Sequence, residues 1–416
     1  MISVYKFGGA SVRDAEGVRN VTNIVKTTNQ SLVVVISAMG KMTNAFEELT
    51  HYYYKGEMDL CQQKQQEIIH YHQTIVKDLF GDIHGSAGFN QMADLLGQRL
   101  QQTPSRHFDF EYDQIVSFGE MFSTKIVSDY WLKMALLNQW VDVRTVLKTD
   151  DLYRDANVNW ELSAELMKET FQFEADSIYL TQGFLGGTLS NLTTTLGREG
   201  SDYSAAIFGY VLDATEVTIW KDVPGVLNAD PRWYQEAVKI NELSYNEAIE
   251  LSFYGAQVIH PKTLKPLQNK NIALHVKSFI DPESKGTVIC ERSGISEPVP
   301  VFILKKDQVF LTVSPHDFSF IMEDRLIEIL SFFSRYRIKM NLMQNSALNF
   351  SACFDDSRDT KALMDDLKEN FVVRYNSGVD LLTIRQYTPE AIEKMTSGRE
   401  VIDSQITRKV ARFVLR

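Results

Sequence analysis

Residues 193–206 read TTTLGREGSDYSAA, a threonine run followed by two glycines, charged residues and then small residues at helical length. Gly197 and Gly200 permit positive φ and close backbone approach, and Ser201 and Asp202 are residue types that cap helices. Amide donors at such a helix start would face an anion, so the stretch suits a phosphate cradle. Arg198, Glu199 and Asp202 add the charges needed to hold a second substrate and to screen a polyphosphate. Taken alone, GxxG reads more often as an ordinary surface turn, and it is the three threonines and the SDYSAA continuation that favour the cradle.

The same device opens the chain. Residues 3–7 form a short apolar strand carrying Lys6, Gly8-Gly9-Ala10-Ser11 turns, and a helix follows with Val18, Val21, Thr22 and Val25 on one face. The turn fits neither GxGxxG nor GxxxxGK[ST]. Residues 32–37 read as a buried parallel strand ending at Ser37, with Thr43 just beyond, and the ends of such strands carry ligand sites. Residues 113–117 read as another strand, and Glu120 follows it at the start of a helix over 121–137. Strands at 177–181 and 216–220 run into Phe184 and into Lys221-Asp222, with Asp230 and Arg232 further on. Residues 46–102 read as a helical layer carrying no chemistry, where His70 and His72 are too poorly spaced for a shared metal.

The elements that position these residues alternate strand and helix up to about residue 290, which predicts an α/β fold with a mostly parallel sheet and helices on both faces. Residues 291–300 read as a linker. Beyond it the order βαββαβ predicts a ferredoxin-like unit over residues 300–378, and 379–416 supply only a strand, a helix and a closing strand. A chain of 416 residues exceeds one ordinary core, and with a net charge of −11 no nucleic-acid footprint is expected, although local basic spots can still bind phosphates. Cys61, Cys290 and Cys353 lack metal or disulfide spacing, no run is long enough to span a membrane, and no secretory signal opens the chain. A cytoplasmic protein is expected.

Five stretches in order resemble the aspartate kinases of the amino-acid kinase superfamily. KFGGASV at 6–12 is similar to the family's KFGGTSV, SFGE at 117–120 matches its SFGE, and GREGSDY at 197–203 is similar to GRGGSDY. IWKDVPGVLNADPR at 219–232 is similar to IWxDVxGxxxADPR, and GAQVIHPKT at 255–263 to GAKVxHPxT. The resemblance implies a catalytic domain over 1–290 and an ACT-type regulatory region over 300–416, one full unit plus a shortened second. It implies transfer of the γ-phosphoryl of MgATP to the side-chain carboxylate of L-aspartate, giving 4-phospho-L-aspartate on the route to lysine, threonine and methionine. That carboxylate is already ionised at neutral pH, so positive charge rather than a base must lower the barrier.

By the resemblance, Lys6 stabilises the transferring group and Asp202 organises it. Arg198 takes the α-carboxylate and Glu120 the α-ammonium, with Ser37, Thr43, Phe184 and Ser201 around the substrate. Lys6, Gly8, Gly9, Ser11, Lys221, Asp222, Asp230 and Arg232 serve ATP, and Mg²⁺ is held mainly by the nucleotide. Lys6, at a solvent-reaching strand end, is expected to matter little for stability. Lys221 and Gln257 depart from the usual threonine and lysine, so Lys221 is expected to supply the charge that Gln257 lacks. Asp324, Arg325 and Asn341 depart at the effector pocket, so weak or absent feedback inhibition and a homo-oligomer are expected. The competing readings are a kinase for glutamate or acetylglutamate, and a catalytically silent amino-acid sensor.

Overall fold

The computed structural model describes residues 1–28, 30–174, 176–256, 259–291, 299–317 and 319–416. Most of the linker reading and Gln257 therefore lie outside the described residues. Two compact units form: Met1–Val226 with Lys239–Ile249 and Gln257–Ile295, and Leu227–Val238 with Glu250–Ala256 and Ser296–Arg416.

The first unit is built on an eight-stranded sheet. Its order is Gln139–Val141, Ile178–Gln182, Ser31–Ile36, Ile2–Phe7, Glu216–Lys221, Ala273–Ser278, Thr287–Cys290 and Glu242–Ser244. All neighbours pair in parallel except Ala273–Ser278 with Thr287–Cys290. Every residue of SLVVVI in Ser31–Ile36 is buried, as a parallel strand covered on both faces requires. Ala15–Lys26 forms because Asp14 caps it, its carboxylate accepting the Gly17 N–H at 2.8 Å, and it buries Val18, Val21, Thr22 and Val25.

Residues 113–117 are not a strand. They fall in the helix Phe108–Val116, which runs through Ser117 into the helix Phe118–Lys133. Tyr112, Ile115 and Val116 are buried at i, i+3 and i+4, a helical period too long to show within the five residues 113–117.

The second unit carries a six-stranded sheet, ordered Met340–Asn345, Phe350–Asp355, Val301–Pro315, Phe371–Arg385, Val410–Leu415, Val401–Ile406. The two long central strands serve two half-sheets. Residues 308–315 pair with 371–379, while 301–305 pair with 381–385, and the register shifts between Lys305 and Gln308. The expected full unit over 300–378 thus begins only near residue 308. The shortened unit takes 301–305 as its fourth strand and adds Val401–Ile406, which the sequence reading missed. Among the described residues it has one helix fewer than a full unit, and Trp233, Tyr234 and Ala237 pack against Phe302, Leu382 and Phe413 on the face such a helix would cover.

Candidate active site

Lys6 lies near the end of Ile2–Phe7, in register with Val35 on one side and Ile219 on the other. Its ammonium meets Asp202 at 2.6 Å, and the Lys221 ammonium, at the end of the next strand, stands 4.0 Å from the other carboxylate oxygen. Burial pushes the Asp202 carboxyl up, but Lys6 and then Lys221 outweigh it and hold it below the ordinary aspartate range. The result is an anchored anion that aims two cations.

The turns at the strand ends are stitched together. Gly40 N–H donates to the Gly9 carbonyl at 3.0 Å, and Ser37 N–H to the Phe7 carbonyl at 3.1 Å. A Cβ on Gly9 would stand 2.5 Å from the Gly40 carbonyl oxygen and 2.7 Å from that of Ala38, so only glycine admits this approach. Ser11 is buried and its hydroxyl has no hydrogen-bond partner among the described residues.

Glu120 sits in the first turn of Phe118–Lys133 and is only 2% exposed. One carboxylate oxygen accepts the Ala38 N–H at 3.2 Å, and the other, Oε2, has no hydrogen-bond partner among the described residues. Burial raises its pKa to about 8 against the opposing pull of the Ala38 N–H and Lys6. A buried carboxyl with one free oxygen is built to receive a cationic group.

The helix following the glycine turn starts at Gly200, so Ser201 and Asp202 stand inside its first turn rather than capping it. Its N-cap, Glu199, takes φ +57°, a left-handed conformation at the position where the resemblance has glycine. A non-glycine residue there costs roughly 1–2 kcal/mol. Gly197 is also left-handed, at φ +78°, whereas Gly200 is needed for space, since a Cβ would meet Phe184 at 2.8 Å.

A cavity of about 480 Å³ brings together Lys6, Ser37, Thr43, Glu120 and Asp202 with Phe184, Arg198 and Ser201. Asp230 and Arg232 lie in the second unit, where they pair with each other at 2.6 Å. Asn44, Glu47, Tyr112 and Arg154 also line the cavity, and the sequence reading assigned none of them. Glu47 comes from the layer read as free of chemistry. Its one signal was spacing, since Asn44 and Glu47 share a face of Met42–Lys55 immediately after Thr43. Arg154 gave none. It is held by Asp113, which accepts the N–H groups of Arg154 and Thr195 at 3.0 and 2.9 Å, and its guanidinium lies 4.4 Å from the Tyr112 ring centre. Cations, the two buried carboxyls of Glu120 and Asp202 and a glycine turn with a left-handed Glu199 converge here, an arrangement that can hold a zwitterion beside a polyphosphate.

The amino acid kinase family matches residues 1–278. The lysine-sensitive aspartokinase 3 of Escherichia coli (strain K12) is 30% identical over 368 residues, 86% of this chain and 79% of that protein. An aspartokinase of Chlamydia pneumoniae is 31% identical over 390 residues, 92% of this chain and 84% of that one. The crystal structure of E. coli aspartokinase III in complex with aspartate and ADP superposes with a TM-score of 0.81 at 26% identity, covering 100% of this chain and 96% of that one. Among the described residues no helix is long and apolar enough to cross a membrane.

Proposed function

The chain belongs to the amino acid kinase family, on its aspartokinase branch, and from that premise we propose how its residues carry out the transfer. The reaction moves the γ-phosphoryl of ATP to the side-chain carboxylate of L-aspartate, giving 4-phospho-L-aspartate. The observation that carries the assignment of roles is the cluster of Lys6, Asp202 and Lys221 at the ends of the central strands, beside the unpartnered oxygen of Glu120. Lys6 neutralises charge on the transferring group and Asp202 keeps it aimed. Glu120 takes the α-ammonium, Arg198 the α-carboxylate, and Ser37, Thr43, Phe184 and Ser201 shape the remaining wall. Gly8, Gly9, Ser11, Lys221 and Asp222 serve the triphosphate. Mg²⁺ arrives on the triphosphate, held by its oxygens and water. Release of ADP that requires both ATP and L-aspartate tests the reaction. Turnover with glutamate or acetylglutamate in place of aspartate would overturn it.

Lys221→Ala is expected to raise the KM for ATP severalfold while changing that for aspartate little, because the lysine adds charge beside Asp202 on the nucleotide side. Initial rates at varied ATP check this, and an unchanged KM removes Lys221 from the nucleotide site.

In the second unit Asn341 is already engaged. Its amide oxygen accepts the Lys305 ammonium at 2.7 Å, and its amide nitrogen donates to Gln308 at 2.7 Å and Asp355 at 3.2 Å. Arg325 pairs with Glu328 at 3.0 Å. With these groups satisfied internally, inhibition by lysine or threonine is expected to be weak or absent. Half-inhibition of the purified enzyme below millimolar lysine or threonine would refute this. The enzyme works in the cytoplasm as a homodimer or larger oligomer, joined through apolar side chains that the second unit exposes, among them Phe320, Met322 and Ile327.

A further inference from the structure

A second cavity, of about 490 Å³, lies in the first unit and takes no part in the reaction proposed above. Its walls come from residues 156–160, the outer side of the helix Gly200–Val211 and the helix Pro261–Asn269. Three rings line it. Trp160 meets Tyr203 edge to face at 6.4 Å between ring centres and Tyr210 at 5.4 Å. Lys262 and Lys265, one helical turn apart, both line this cavity. Lys262 pairs at 2.6 Å with Asp155, a largely exposed carboxylate, and Lys265 forms no ion pair among the described residues. Two cations beside three rings are a distinctive combination in a chain of net charge −11.

The cavity shares its wall with the active site. Arg154 lines the first cavity, while the next residue, Asp155, holds Lys262 of the second. Asp155 also closes on the glycine turn, since a Cβ on Gly197 would stand 2.7 Å from its carboxylate. On the helix Gly200–Val211, Ser201 and Asp202 face the first cavity and Tyr203 and Tyr210 the second.

We propose that this second cavity is a binding site for a small aromatic carboxylate, whose ring lies among Trp160, Tyr203 and Tyr210 and whose carboxylate is taken by Lys262 and Lys265. The rings supply apolar and edge-to-face contact, and the paired ammonium groups supply charge-assisted hydrogen bonds. A carboxylate at Lys262 competes with Asp155 and loosens its hold beside Gly197. Occupancy is therefore read at the active site as a change in the KM for aspartate.

The test uses the full chain and three probes: phenylpyruvate, which has ring and charge, pyruvate, which has charge alone, and 2-phenylethanol, which has the ring alone. Calorimetry is expected to show phenylpyruvate binding, with the other two weaker by at least about tenfold. The binding persists under saturating aspartate and ADP, and phenylpyruvate shifts the aspartate KM severalfold. Lys265→Met leaves turnover without phenylpyruvate unchanged and weakens phenylpyruvate binding by about tenfold. Four results would overturn the proposal: no binding at millimolar phenylpyruvate, displacement by aspartate and ADP, equal binding of pyruvate, or binding that Lys265→Met leaves intact.

Discussion

Lys6→Ala is expected to lower kcat on the order of a hundred- to a thousandfold, the usual loss when one donor aimed at transition-state charge is removed. In the roles proposed above this ammonium compensates charge on the transferring group, and Lys221, at 4.0 Å from Asp202 against 2.6 Å for Lys6, is held less closely. The structure also corrects the expectation that this lysine matters little for stability. Its side chain is only 12% exposed and that of its partner 6%, so alanine leaves a buried carboxylate with one distant cation. Breaking such a pair costs about 3 kcal/mol. In the native protein the depressed Asp202 pKa contributes stability at neutral pH that is lost as pH falls through the aspartate range. In the variant burial dominates and the sign reverses, so its deficit grows as pH rises. Single-turnover rates and melting curves at acid and neutral pH check both halves, and a variant retaining half its turnover removes Lys6 from the chemistry.

Glu120→Gln is the second large effect. Glutamine keeps an acceptor for the Ala38 N–H but lacks the negative charge that an ammonium requires. Losing one charge-assisted hydrogen bond of roughly 1.5–3 kcal/mol lowers kcat/KM for aspartate by about ten- to a hundredfold. The pH profile is the sharper readout. With its pKa raised to about 8, Glu120 is protonated in the free enzyme at neutral pH, so binding an ammonium there must expel a proton. Accordingly kcat/KM for aspartate climbs with pH and levels off above about 8, whereas the glutamine variant lacks that climb. The native fold weakens over the same rise, from the ordinary glutamate range to about 8, because the unfolded chain ionises this carboxyl while the folded protein still holds its proton. The variant escapes that cost. Superimposable pH profiles for the two proteins would remove Glu120 from the ammonium site.

Much of this was legible because parallel strands deliver their C-terminal ends to one place. Lys6, Ser37 and Lys221 stand at or near the C-terminal ends of apolar runs that the sequence shows directly. Glu120 was found through its motif although its setting was misread, since two successive helices hide the period of the first. Arg154 and Tyr112 were not legible. They reach the cavity through Asp113, a buried carboxyl whose hydrogen bonds join a helix, a turn and the strand Thr193–Thr195 across some 80 residues of sequence. No local pattern records such a bond. In the second unit, Val301–Pro315 reads as one strand starting late, because the polar break KKDQ at 305–308 marks a change of partner and looks like a strand's beginning.

That change of partner also bears on how the chain is made. Residues 301–305 leave the ribosome early in the second unit, yet their mates at 381–385 are followed by Val410–Leu415, which completes the sheet at the very end of the sequence. The first half-sheet can assemble while translation continues, but the apolar segment at 301–304 stays without its strand partner until about 80 further residues have emerged. Late, long-range pairing of this kind is slow and leaves a strand edge open to other nascent chains. A stop codon placed after residue 378 therefore yields no smaller regulatory module; it releases a polypeptide with a bare apolar edge, destined for chaperones or aggregates.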